Sequence, residues 1–143
     1  MNEKKIFEDQ DAKIQKLTTS TKKSDSIVNR LETKLLDENY FTLLGNDNAM
    51  TYFEKKGVEA IDVQNKVSNA ILDKNAAPEG NSLVPYNGIN GEMRINKIKF
   101  LNHRWVIADF TDGDYWGEMI FEYFINEDSS VDLTTLGSVL YTK

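Results

Sequence analysis

Apolar residues in the first 38 positions recur at an average spacing of three and a half. Phe7, Ile14, Val28 and Leu35 share one position of a seven-residue repeat with Thr21, and Leu17 and Leu31 share another with Gln10, Ser24 and Glu38. Such a narrow seam is what a coiled coil buries, so the pattern predicts a long helix whose residues 7–38 join copies of the chain into a homo-oligomer. Thr18, Thr19, Ser20 and Thr21 are poor helix formers at the centre of the seam. The pattern therefore predicts either one long, weakly associating helix or two helical pieces with a soft middle. A lone solvated helix or a frayed tail fits the same residues.

Residues 37–48 read as a boundary, with Gly45, Asn46, Asp47 and Asn48 supplying turn chemistry and a helix N-cap. A short helix is expected over 49–56, turning Met50 and Phe53 inward and stopped by Gly57. A second follows, with Val58, Ile61, Val67, Ala70 and Ile71 at helical spacing. Residues 75–91 hold both prolines and three glycines, yet Leu83, Val84, Tyr86 and Ile89 are too apolar for a free linker; a packed crossover over the sheet edge is expected.

From Glu92 the period shortens to two. Strands are expected over 93–101, 104–111, 114–125 and 131–141, joined by turns at 102–103, 112–113 and 126–130. Asp112-Gly113 reads as a type I′ hairpin turn, which needs positive φ at both central positions. The sum is an α+β protein: a helical stalk or coiled coil over 1–40, then a head over 41–143 with two short helices and a four-stranded antiparallel meander. A curved sheet closed by helices, as in the cystatin and nuclear transport factor 2 architectures, is a candidate arrangement for the head.

Two-residue turns would fix the register. Phe100 then faces Trp105, Ile98 faces Ile107, Asp109 faces Trp116 and Ile107 faces Glu118. One face carries Ile98, Phe100, Trp105, Ile107, Trp116 and Ile120 among Asp109, Asp114, Glu118 and Glu122. The other carries Leu101, Val106, Ala108, Phe110, Tyr115, Met119, Phe121 and Tyr123, a cleaner core. If the helices cover this second face, the tryptophans and carboxylates form an open surface suited to a ligand or partner. If they cover the tryptophan face, the carboxylates lie beyond the cover, and this plainer arrangement is the expected one. Gly117 is a candidate bulge.

Charge narrows the partners. The net charge is -6, and residues 1–40 are balanced with eight basic and eight acidic side chains, so nine basic and fifteen acidic residues remain for 41–143. A negative head repels phosphate backbones and anionic lipid, so nucleic acid is not an expected partner; an unknown protein or small molecule is. There is no cysteine, hence no disulfide, thiolate metal site or thiol nucleophile. No cofactor is expected. No stretch approaches about 18 consecutive apolar residues, so no transmembrane segment is expected, and the first residues show no export signal. A cell-envelope location follows if such a signal has been trimmed away, and a cytoplasmic one otherwise.

The candidate ligand-binding residues are Trp105, Asp109, Tyr115, Trp116 and Glu118. Asp109 and Glu118 lie diagonally on neighbouring strands and are candidate catalytic residues, an acid and base pair if burial separates their pKa values. The single histidine, His103, falls in a turn, and no metal-ligand spacing, nucleophile elbow or phosphate loop is present.

The run Ile95-Asn96-Lys97-Ile98-Lys99-Phe100-Leu101-Asn102-His103-Arg104-Trp105-Val106-Ile107-Ala108-Asp109-Phe110, followed by Asp112-Gly113 and Tyr115-Trp116-Gly117-Glu118, resembles a family of small uncharacterised proteins of Flavobacteria and related Bacteroidetes. The resemblance covers mainly residues 81–141. It implies an exported lipoprotein with a signal peptide, a lipid-bearing cysteine and a polar or coiled-coil spacer, none of which but the spacer is in this sequence. Some members are labelled hydrolase without a catalytic motif, so no functional residue carries over. The expected function is a non-enzymatic cell-envelope interaction or ligand-binding protein on an oligomerising or spacing stalk; the alternative is a small hydrolase using Asp109 and Glu118.

Overall fold

A computed structural model describes residues 2–142, without the side chains of residues 2–5 and 7, so the Phe7 side chain of the expected seam lies outside the described residues. The chain divides into two compact units, Met1–Tyr40 and Phe41–Lys143. Among the described residues, no helix is long and apolar enough to cross a membrane.

The first unit is one helix, α1, Asn2–Glu38. It runs unbroken through the threonine-rich middle, so of the two expected forms the single helix is found. The Thr18, Thr19 and Thr21 hydroxyls donate to the carbonyls of Ile14, Gln15 and Leu17 at 2.9, 2.9 and 3.0 Å, and Thr33 does the same to Asn29. Bonded back to their own helix, these side chains no longer compete with it for backbone partners. Ile14, Leu17, Val28, Leu31 and Leu35 are all exposed.

The second unit is α+β. Asn46 caps α2, Asp47–Glu54, its side chain accepting from the Ala49 N–H at 3.1 Å. The helix thus starts and ends two residues before the expected 49–56. Gly57, at φ +79°, takes the left-handed turn that stops it. In α3, Ala60–Leu72, the buried stripe is Ala60, Val63, Val67 and Ile71. Ile61, expected on that stripe, is exposed.

After a 3₁₀ turn over Asp73–Ala76, the long connection is tied down by two asparagines. Buried Asn81 donates to the Ile71 carbonyl at 3.0 Å and to Asn75 Oδ1 at 2.8 Å, and its own oxygen accepts from the Leu83 N–H at 3.0 Å. Asn75 in turn brackets Ile95, donating to its carbonyl and accepting from its N–H. Further on, Tyr86 stacks on Phe110 and its hydroxyl lies 3.3 Å from Ser138 Oγ. The connection is packed, but it crosses the inner face of the sheet, where Phe110 lies, as well as its edge.

Strands β1, Arg94–Phe100, β2, Trp105–Thr111, β3, Trp116–Ile125, and β4, Val131–Tyr141, form an antiparallel meander in sequence order. Its inner face is Val106, Ala108, Phe110, Met119, Phe121 and Tyr123, packed with Phe53, Val63, Val67 and Ile71 from the helices. The helices therefore cover the cleaner face. The expected cover of the tryptophan face is overturned: Trp105 and Trp116 are 43% and 49% exposed.

The expected register also changes, for local reasons. The first hairpin has no two-residue turn: Leu101 donates to the Trp105 carbonyl across Asn102, His103 and Arg104, and Phe100 pairs with Val106. Asn102 Oδ1 organises this loop by accepting from both Arg104 and Trp105 N–H at 2.7 Å. This three-residue loop places Ile98 and Phe100 on the inner face instead of beside the tryptophans, and a bulge between Ile95 and Ile98 keeps Ile95 on that face too. In the second hairpin Thr111 pairs with Trp116 around a four-residue loop, and only Gly113, not Asp112, has positive φ, so the turn is not type I′. Gly117 is in regular register opposite Phe110; the second bulge lies at Ile120/Phe121 against β4.

Candidate functional site

The outer face of the sheet follows from this register. Asp109 and Glu118 are directly opposite one another, not diagonal; Ile107 pairs with Ile120, Thr111 with Trp116, and on the far side of β3 Glu118 pairs with Val139 and Trp116 with Tyr141. Trp116 and Tyr141 are cross-strand partners with ring centroids 4.2 Å apart. The Tyr141 hydroxyl donates to Glu118 Oε1 at 2.9 Å, and this bond, with some burial and the nearby charge, pushes the phenol above its ordinary pKa. Two shallow depressions of about 360 and 400 Å³ flank Glu118, one over Ile120, Gly137, Val139 and Tyr141, the other over Lys97, Lys99, Ile107 and Asp109.

The five candidate binding residues do not form one cluster. Trp116, Glu118 and Asp109 share a strip with Tyr141, Ile107, Ile120 and Val139. Trp105 sits at the other end of β2, opposite Glu122 and roughly 20 Å along the strand from the Trp116 row. Tyr115 belongs to the loop before β3 and packs against the inner core, so it faces away from the strip.

The carboxylates have structural partners. Asp109 Oδ1 accepts from the Lys97 N–H at 2.7 Å and Oδ2 from Asn96 Nδ2 at 3.4 Å. Asn96 and Lys97 are the two residues of the β1 bulge, so Asp109 supplies the hydrogen bond that the bulge removes from the ladder. Glu118 orients Tyr141. As a pair they lie between shallow, open depressions with no enclosing wall, which suits contact better than proton transfer.

A second concavity lies where β3 continues past the start of β2. It measures about 320 Å³ and is lined by Tyr52, Lys56, His103, Arg104, Glu122 and Phe124 among others. Arg104 Nη2 donates to Glu122 Oε1 at 2.5 Å. Lys56 Nζ lies 4.5 Å from the ring centroids of both Tyr52 and Phe124. His103 leans on Tyr52, and its buried Nδ1 has no hydrogen-bond partner among the described residues. Burial, and then the Arg104 charge, lower the imidazole pKa from its ordinary value. The sequence reading passes over this concavity and over Tyr141. The signal for Tyr141 is its alternation with Val139 on β4; the concavity depends on how α2 meets the end of the sheet, which periodicity does not encode.

Among the described residues no three His, Asp or Glu side chains converge to hold a metal ion. No protein-family model, curated protein or solved structure matches the chain.

Proposed function

We propose that this is a non-enzymatic interaction protein, in which α1 is a stalk joining copies of the chain and the head offers its outer sheet face to a protein partner. The carrying observation is that face itself. The domain completes its core on the other side, and the strip of Ile107, Trp116, Ile120, Val139 and Tyr141 around Asp109 and Glu118 is left uncovered by α2 and α3. The strip carries Asp109 and Glu118 at its centre and Lys97 and Lys99 on its β1 side; in a head of net negative charge the balance favours an apolar surface bearing lysine or arginine. The interior beneath the helices is filled by Val67, Val106 and Phe121, all fully buried, which counts against a ligand pocket there of the nuclear transport factor 2 kind. The envelope setting comes only from the resemblance of residues 81–141.

The test uses a basic amphipathic peptide of repeating Leu-Lys-Lys-Leu and its Leu-Glu-Glu-Leu counterpart, titrated into the full chain with tryptophan emission as readout. The expected result is saturable, salt-sensitive binding of the basic peptide alone, weakened at least about tenfold by Glu118→Lys, roughly 1.4 kcal/mol. Equal response to both peptides, or none, removes the assignment of this face. Hydrolysis of an ester, phosphoester or glycoside that disappears in Asp109→Asn and Glu118→Gln would replace it with the hydrolase alternative.

A further inference from the structure

We infer, resting on the stalk reading above, that α1 pairs with α1 of a second copy as a parallel, in-register, two-stranded coiled coil. The choice of partner, number and direction comes from which side chains the unbroken helix places at each seam position. Ile14 and Val28, both β-branched, occupy the first core position, and Leu17 and Leu31 the second. In parallel coiled coils β-branched residues at the first position with leucine at the second favour two strands, whereas β-branched residues at the second position shift the preference to three or four.

The polar centre is compatible with pairing. Thr21 falls in the first core row, where its burial against a second helix would leave a hydroxyl without water. That hydroxyl already donates to the Leu17 carbonyl at 3.0 Å, so the layer closes without an unsatisfied donor. In register, Thr21 meets Thr21 and Ser24 meets Ser24, and the apolar layers on either side meet their own copies.

Charge decides direction. In the parallel arrangement each flanking residue meets the one five positions later in the other copy: Lys13 meets Thr18, Ser20 meets Asp25, Ile27 meets Glu32 and Lys34 meets Asn39. No like charges meet among these flanking pairs; the one like-charge layer, Glu38 against Glu38 in the second core row, falls at the last residue of α1. The antiparallel register that matches apolar layers sets Ile14 against Leu31 and Leu17 against Val28. It then puts Lys13 beside Lys34 and Asp11 beside Glu32, each contact occurring twice by symmetry. Four like-charge contacts along one short seam disfavour that direction.

The experiment takes the full chain, whose lack of cysteine makes single-cysteine variants unambiguous. Gln10→Cys lies in the second core row and Ala12→Cys on the outward face. In the parallel dimer the two position-10 residues meet within the roughly 7 Å that a disulfide spans; in the antiparallel one they are about 37 Å apart. Sedimentation equilibrium should give twice the 16.4 kDa chain mass, and glutathione redox buffer should convert most of Gln10→Cys, but little of Ala12→Cys, to a disulfide-linked pair. A dimer in which Gln10→Cys stays uncrosslinked overturns the parallel arrangement and leaves the stalk reading standing. A mass of three or four copies overturns the two-stranded assignment. A monomer at all concentrations overturns both.

Discussion

Asp112 holds two segments together through one carboxylate. Oδ1 accepts from the N–H groups of Asp114 and Tyr115, and Oδ2 from those of Ile89 and Asn90, tying the β2–β3 loop to the long connection. Those backbone donors, Ile89 first, hold its pKa well below the usual carboxylate range. A carboxyl depressed on folding stabilises the protein above its unfolded pKa of about 3.9 and loses that contribution as pH falls towards the folded value. Asp112→Asn, which keeps one acceptor oxygen and no charge, should therefore lower Tm at pH 7, and the gap to the parent should hold down to about pH 4 and narrow progressively below it. Thermal melts across pH check this; a gap that stays constant from pH 7 to 2.5 would contradict it. Gly117 is required for space. A Cβ there would collide with the Val139 carbonyl oxygen and lie 2.5 Å from Phe110 Cζ, whereas at Gly137 it would meet only Ile120 Cγ2 at 3.9 Å. Gly117→Ala should cost about 1–3 kcal/mol by denaturant titration, and Gly137→Ala a small fraction of that. Equal costs would show that the β3–β4 packing is not as described.

Among the elements, the connection between α3 and β1 has the most specific bonding. Asn81 joins the end of α3, Asn75 and Leu83, and Asn75 extends the link to Ile95. Asn81→Leu fits the volume but leaves these groups without their partner, so it should destabilise by at least about 1–3 kcal/mol, with hydrogen exchange rising first in residues 75–95. Unchanged protection there would argue that the asparagines are incidental. The sequence makes the elements themselves legible: the turn residues 126–130 mark where β4 begins, and Asn46 and Gly57 bracket α2 with a shift of two. Register is less legible, because it is set by side chains acting on backbone. Asn102 builds a three-residue loop where two residues are expected, which transfers Ile98 and Phe100 to the other face, and Asp109 fills a bulge that keeps Ile95 on that face with them. Of the site, the pairing of Trp116, Asp109 and Glu118 on one strip is readable from parity alone. Tyr141 needs the β3–β4 register, and the separation of Trp105 from Trp116 needs the length of β2 between them.

At the scale of the molecule, two surfaces are apolar without being part of a core: the seam of α1 and the outer face of the sheet in the head. The first has a repeat that fits a copy of itself. The second has aromatic rings and carboxylates held in place by neighbours, Trp116 by Tyr141 and Glu118 by the Tyr141 hydroxyl. The second surface is open because the helices of the head lie on the Val106 face. Acrylamide quenching of tryptophan emission in the full chain tests that most directly, since Trp105 and Trp116 are the only tryptophans and both lie on the outer face. With Trp105 and Trp116 43% and 49% exposed, the structure predicts red-shifted emission with both indoles accessible to the quencher and no shielded fraction. Blue-shifted emission with a shielded fraction would mean that the tryptophan face is the covered one, and would contradict the account.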